Sequence, residues 1–244
     1  MSLDLTALIA VKDREFNINY CLSSIDKCNP KPKCILVDFG SKIPLSGRFN
    51  YDWLQVIRVT RNTSLFHKAR ALNIGLKKTT TKYVCATDAD QVFNPSFFGV
   101  VHDLLMKNPK AFVMCYTYFL YKAPNFKPHE LNYHALLKQV RASKSKLSGD
   151  GCCNGINKDF LMSVHGWDER YIGYGAEDSD MNLRARLRGY NIVWAHKYTN
   201  MIHLPHSRST PYHSASYLSA NRKMYYTRRR IKDVVVNPRN WGEI

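Results

Sequence analysis

Acidic side chains are scarce in this 244-residue chain: 19 Asp and Glu stand against 36 Lys and Arg, a formal charge of +17 at pH 7. The imbalance points to an anionic partner, whether nucleic acid, an acidic membrane surface or a phosphate-bearing substrate. Long hydrophobic runs are also missing. The most apolar stretch, AFVMCYTYFLY at 111–121, falls well short of the ~20 residues that cross a bilayer and reads as one buried strand. The opening residues, MSLDLTALIAVKDRE, have no basic leader and carry Asp4, so they read as a strand and not as a signal peptide, and a soluble cytoplasmic protein is expected. Seven cysteines without C-x-x-C spacing argue against a disulfide framework or a zinc site and for buried, reduced thiols. No repeat or low-complexity tract is evident, and 45% hydrophobic with 23% charged residues is the composition of a globular protein.

What is present is an alternation. LTALIAVKD (5–13), KCILVDFGS (33–41), WLQVIRVT (53–60) and KYVCATDAD (82–90) are apolar strands. INYCLSSIDKC follows the first, and LFHKARALNIGLKKTT (65–80) has Leu65, Ala69, Leu72 and Leu76 at helical spacing. Strands alternating with helices predict an open, mainly parallel α/β sheet, in which ligands bind beyond the carboxyl ends of the strands. Asp38 and the Asp88/Asp90 pair stand at such ends. Past residue 95 the expected elements are a helix near 96–107, the strand 111–121, a helix near 129–142 and the Gly- and Ser-rich KSKLSGDGCCNG. No linker separates domains, so 1–244 reads as one domain: a nucleotide-binding half (1–95), an acceptor-binding half (96–210) and a basic C-terminal segment (211–244).

Three clusters carry chemistry. Asp88-Ala89-Asp90 is an acid-x-acid step whose alternation predicts two carboxylates on one side, suited to a hard cation and its phosphate oxygens. NMIHLPHSRS (200–209) sets His203 and His206 three residues apart, close enough to face one ion. GYGAEDSD (173–180) crowds three acids into four positions ahead of MNLRARLRG. Acids at a helix start suit the macrodipole, which also predicts an ionised Asp178.

Together these segments resemble the β-1,4-galactosyltransferase and polypeptide N-acetylgalactosaminyltransferase group of GT-A glycosyltransferases. KARALNIGLKKTTTKYVCATDADQVFNP is similar to their Leu-Asn-x-Gly helix and acid-x-acid strand, GWDERYIGYGAEDSDMNLRARLRG to their Gly-Trp-Gly-Gly-Glu-Asp motif, and HSR at 206–208 to their late His-Ser-Arg. Gly173-Tyr174-Gly175-Ala176 departs from that motif by a smaller ring and an added methyl. The resemblance implies a Rossmann-like GT-A fold, an open twisted sheet flanked by helices, and metal-dependent, inverting transfer from a nucleotide-sugar, UDP-linked, to a hydroxyl. It implies Asp90 as principal ligand of Mn2+ or Mg2+, with Asp88, His206 and His203 supporting. Asp178 would be the general base, with Glu177 beside it. Asp38 would contact uracil or ribose, and Lys12, Arg14, Phe66, Lys68, Arg70 and Asp88 would lie near the nucleotide and diphosphate. Tyr174, Gly175, Trp167 and Asp180 would meet the acceptor.

Acceptor identity stays open at this stage. A glycan or lipid-linked saccharide at an anionic membrane is one candidate; a hydroxylated base in DNA, in a bacterial or phage setting, is the other. SYLSANRKMYYTRRR interleaves Tyr217, Tyr225 and Tyr226 with basic residues, suiting phosphate contacts and base stacking. Two further readings are a non-catalytic nucleic-acid-binding module on this scaffold and a nucleotidyltransferase using the same acid-x-acid step.

Overall fold

Every side chain of LTALIAV, strand β1 (Leu5–Val11), is buried, as a strand covered on both sheet faces must be. The computed structural model describes residues 3–147, 151–173, 175–207 and 214–244. After β1 come α1 (Glu15–Asp26), β2 (Lys33–Phe39), β3 (Leu54–Val59), α2 (Lys68–Lys78), β4 (Tyr83–Asp88), β5 (Gln91–Phe93) and α3 (Phe97–Lys107). The later elements are β6 (Ala111–Met114), β7 (Thr117–Phe119), α4 (Tyr133–Ala142), β8 (Cys153–Asn157), α5 (Lys158–Ser163), α6 (Glu177–Leu187), β9 (Asn191–Trp194), β10 (Met201–His203) and α7 (Ala215–Ile231).

Seven strands form one sheet in the order β3-β2-β1-β4-β8-β6-β9, and β5, β10 and β7 form a second. In the large sheet β8 alone is reversed, antiparallel to β4 and β6, so the expected mainly parallel α/β architecture is what forms. Strands from both expected halves of the chain share this sheet. One apolar cluster lies on the face covered by α1 and α3, and a second lies under α2, α5 and α6. Helix α2 approaches closely because a Cβ at Gly75 would meet Leu8 Cδ1 at 2.3 Å and Val37 Cγ2 at 3.0 Å. All seven cysteines are free and buried. Among the described residues no helix is long and apolar enough to cross a membrane.

One expected strand is two. A continuous strand over 111–121 would reach about 36 Å, far beyond its short neighbours β8 and β9, and would bury unpaired backbone. The chain instead leaves the large sheet after Met114, and Thr117–Phe119 pairs with β10 in the small one.

The basic C-terminal segment is not a solvated tail. Arg228 of α7 is 2% exposed and ion-paired to the fully buried side chains of Asp168 and Asp180. Asp180 also takes Arg184 Nε at 2.8 Å and the Tyr171 hydroxyl at 3.1 Å, and Asp168 takes Arg170 Nη2 at 2.7 Å. Beyond α7, Trp241 is buried beneath Lys77, whose ammonium sits 3.8 Å from the ring centroid. Removing one partner from a buried charge cluster strands the others. Arg228→Ala is therefore expected to cost about 3–5 kcal/mol in urea unfolding, whereas the exposed neighbour change Arg229→Ala should stay within about 0.5 kcal/mol.

Candidate active site

Strand β4 ends at Asp88, and the chain turns through Ala89 and Asp90 before β5. Asp88 and Asp90 therefore do not share one strand face, and each finds different partners. Strand β10 runs antiparallel to β5 with His203 opposite Gln91, and Leu204 N–H donates to the Asp90 carbonyl at 2.8 Å. This pairing sets His203 Nε2 3.5 Å from Asp90 Oδ1 and His206 Nε2 3.3 Å from Asp90 Oδ2. One ligand atom from each of the three residues lies within 4.8 Å of the others. Asp90 Oδ1 is buried without a hydrogen-bond partner. Burial holds this carboxyl above its ordinary range, with His203 working the other way. An orphaned carboxylate oxygen facing two imidazoles is a donor set that a divalent cation would satisfy. The Ser207 carbonyl lies 3.0 Å from His206 Nδ1. Arg14 Nη2 lies 3.3 Å from the same ring nitrogen.

The second cluster gathers on Lys68, in the first turn of α2. Its ammonium is 2.8 Å from Asp88 Oδ1, 2.9 Å from Asp178 Oδ2 and 3.5 Å from Glu177 Oε1. Burial alone would push this lysine down, but Asp178, Asp88 and Glu177 hold it well above its ordinary range. Asn154 Nδ2 donates to the other oxygen of Asp178 at 3.0 Å. Asp178 is raised to about 7, mainly by burial and then by its acidic neighbours, against the pull of Lys68. This direction is opposite to the lowering expected from the α6 N-terminus, because burial dominates. Ala176, the residue before α6, has φ 75°, a left-handed conformation that glycine adopts without the cost of about 1 kcal/mol borne by other residues.

Both clusters open into one cavity of about 350 Å³, whose lining includes Asp90, His203, His206, Lys12 and Arg14 together with Lys68, Glu177 and Asp178. The family model for glycosyl transferase family 2 matches residues 6–164, well over half of the chain. The chain belongs to glycosyl transferase family 2. Residues 135–207 of this glycosyltransferase match a second model, the N-terminal domain of galactosyltransferase, in agreement with the resemblance read from GWDERYIGYGAEDSD. No curated protein sequence matches the chain.

Among solved structures it is similar to a mannosyltransferase from Pyrobaculum calidifontis in complex with GDP-Man and Mn2+, at 18% identity and a TM-score of 0.63. GalNAc-T7 with UDP, GalNAc and Mn2+ is similar at 12% and 0.64, and TarS 1-349 of S. aureus with UDP-GlcNAc at 15% and 0.62. The matches cover 98%, 86% and 95% of this chain. They span 67%, 45% and 65% of the other three. At these identities the likeness establishes the GT-A fold.

Against the sequence expectations, the cavity brings together Lys12, Arg14, Phe66, Lys68, Asp88, Asp90, Gly175, Glu177, Asp178, His203 and His206. Asp88 lies outside the Asp90–His203–His206 group, its carboxylate taken by Lys68. Four residues are placed elsewhere. Asp38 is fully buried, accepting from the Ser41 and Leu45 amides at 2.9 and 3.1 Å and pairing with Arg58. Burial opposes its ionisation, but these hydrogen bonds outweigh that and hold it below its ordinary range; it closes a loop and is not among the residues that line the cavity. Trp167 is 0% exposed in the second apolar cluster. Asp180 points away into the Arg184–Arg228 network. Arg70 reaches the Glu243 carbonyl at 3.3 Å and lies over the Phe39 ring. Tyr174 and Arg208 fall outside the described residues.

Three contributors were not anticipated. Asn73 of Leu-Asn-x-Gly is 0% exposed; its Oδ1 accepts from Trp167 N–H and its Nδ2 donates to the Trp167 carbonyl, both at 2.8 Å, pinning the loop that leads to α6. Asn154 orients Asp178, and Gly151 makes room for it: a Cβ there would meet Asp178 Oδ2 at 2.8 Å. The glycines of SGDGCCNG were the available signal, since glycine marks close approach to a neighbouring group. Gly151→Ala should displace the Asp178 carboxylate and lower glycosyl-transfer turnover roughly 10- to 100-fold, with urea stability changed by less than about 1 kcal/mol; unchanged turnover would show that the carboxylate need not sit there.

Proposed function

We propose that this glycosyltransferase carries a hexose, with inversion, from a UDP-linked donor to the hydroxyl of an acceptor, on a glycan or lipid-linked saccharide or on a base of DNA. One observation carries the reading: the Asp90–His203–His206 group and Asp178 line a single cavity. A divalent cation held by Asp90, His203 and His206 would neutralise charge on the departing diphosphate. Two imidazoles beside one carboxylate favour Mn2+ over Mg2+, which prefers an all-oxygen shell. Asp178 accepts the acceptor hydroxyl proton as that oxygen bonds to the anomeric carbon. The bond from that carbon to the diphosphate oxygen breaks, and its electron pair leaves with the diphosphate. Lys12 and Arg14, at the carboxyl end of β1, supply further positive charge on the donor side. On this reading residues 1–95 chiefly serve the donor and residues 96–210 the acceptor. A nucleotidyltransferase would use the acidic end of β4 but has no need of a further carboxylate such as Asp178 in the cavity.

Asp178→Asn should lower transfer by at least about 100-fold while UDP binding, followed by calorimetry in Mn2+, is retained; near-wild-type transfer would remove Asp178 as base. The base must be unprotonated, so with a pKa of about 7 kcat/KM should rise with pH and level off above that point. Below it the fall should approach about tenfold per pH unit. For the cation, EDTA should abolish transfer and Mn2+ restore it. Asp90→Asn and His206→Ala should each weaken Mn2+ binding at least about tenfold in calorimetric titration. Full activity in excess EDTA would exclude this site.

A further inference from the structure

We infer that the acceptor is presented on a single-stranded nucleic acid, held by a stripe on α7 that leads to Asp178; this deepens the transfer reading above and rests on it for the chemistry. A second cavity of about 360 Å³ meets the first at Asp178, Gly151 and Ser179. Its α6 wall is Asp178, Ser179, Asn182, Leu183 and Arg186, one helix face at i, i+1, i+4, i+5 and i+8. By helix rise, Arg186 stands about 12 Å along the groove from Asp178. Tyr225 and Arg229 of α7 form the opposite wall.

Neither arginine of this groove has an acidic partner among the described residues; Arg186 Nε donates only to Asn182 Oδ1 at 2.9 Å. The one acid in the groove, Asp178, already faces Lys68. An anion bound here therefore meets uncompensated positive charge close to the proposed base.

The α7 wall extends the site. Arg222, Tyr225, Tyr226 and Arg229 fall at i, i+3, i+4 and i+7, one stripe of the helix, with Tyr226 55% exposed and its ring centroid 5.7 Å from that of Tyr225. Arg228, the most prominent member of the basic run in sequence, is withdrawn from this surface by Asp168 and Asp180. A lone phosphate headgroup needs one cationic cluster. Cations two turns apart with tyrosines between them suit a repeating backbone phosphate and unpaired bases that stack.

The test uses the full chain and fluorescein-labelled dT12, without donor or cation, with anisotropy measured across a KCl series. Wild type should bind with a salt-dependent affinity, and Arg222→Gln with Arg229→Gln should flatten the log–log salt slope by about 1.4, two phosphates at ~0.7 each. Tyr226→Ser should weaken binding roughly tenfold at fixed salt with the slope unchanged. Lys107→Gln with Lys138→Gln, the same charge loss on exposed helix positions of α3 and α4, should change neither. Bound dT12 should protect Arg186, Arg222 and Arg229 from phenylglyoxal.

The inference is overturned by equal effects of the two double variants, which would mean diffuse attraction to net charge. It is equally overturned by an unprotected Arg186, or by phosphatidylglycerol vesicles binding through the stripe where dT12 does not. UDP titration in Mn2+ is scored separately: its failure alone would remove the transfer reading, and failure of the dT12 results alone would remove only the nucleic acid.

Discussion

A single ammonium group holds the candidate site together. Asp88, Glu177 and Asp178 arrive from two distant parts of the chain and face one cavity, where water cannot fully screen their repulsion. Lys68 lies between all three, within 2.8 to 3.5 Å. The lysine stands at the start of α2, Asp88 at the end of β4 and the two other acids at the start of α6, so its charge joins the elements that the resemblance divides between donor and acceptor. Burial raises Asp178, which has Asn154 on its other oxygen, to about 7.

The aspartates show how environment assigns roles to one residue type. Asp38, Asp168 and Asp180 are fully buried and take arginines or backbone amides, so their oxygens are already satisfied. Asp90 is nearly as buried, yet one oxygen has no hydrogen-bond partner and both face histidines. Satisfied carboxylates hold the fold, and the one left wanting a partner marks a site for a cation. The Asp168–Asp180–Arg184–Arg228 network has a second effect, since it fixes α7 against α6 and so determines which of the basic side chains on α7 face outward.

Much of the fold was legible in the chain. Apolar strands ending in acids, and helices at 3.6-residue spacing between them, are local patterns, and β1 to β4 with α2 follow them closely. The strand over 111–121 was less legible, because apolar runs specify burial and not the sheet in which a segment pairs. Trp167, Asp180 and Arg70 follow the same logic: residues within a motif alternate between facing the cavity and supporting it, and helix phase or a loop path decides between the two. Asn154 and Gly151 were obscured in a stretch that reads as a flexible loop.

Composition and motif order were enough to determine the α/β class and the family, to anticipate buried free cysteines, and to nominate Asp90, His203, His206 and Asp178 as candidates, because local chemistry and spacing suffice for these. Only the tertiary structure decided that His203 and His206 close on Asp90, that Lys68 neutralises three acids, and that Arg228 is buried while Arg229 lines a groove. These depend on contacts between segments, some more than about 100 residues apart, which strand pairing and helix packing create and no local pattern encodes.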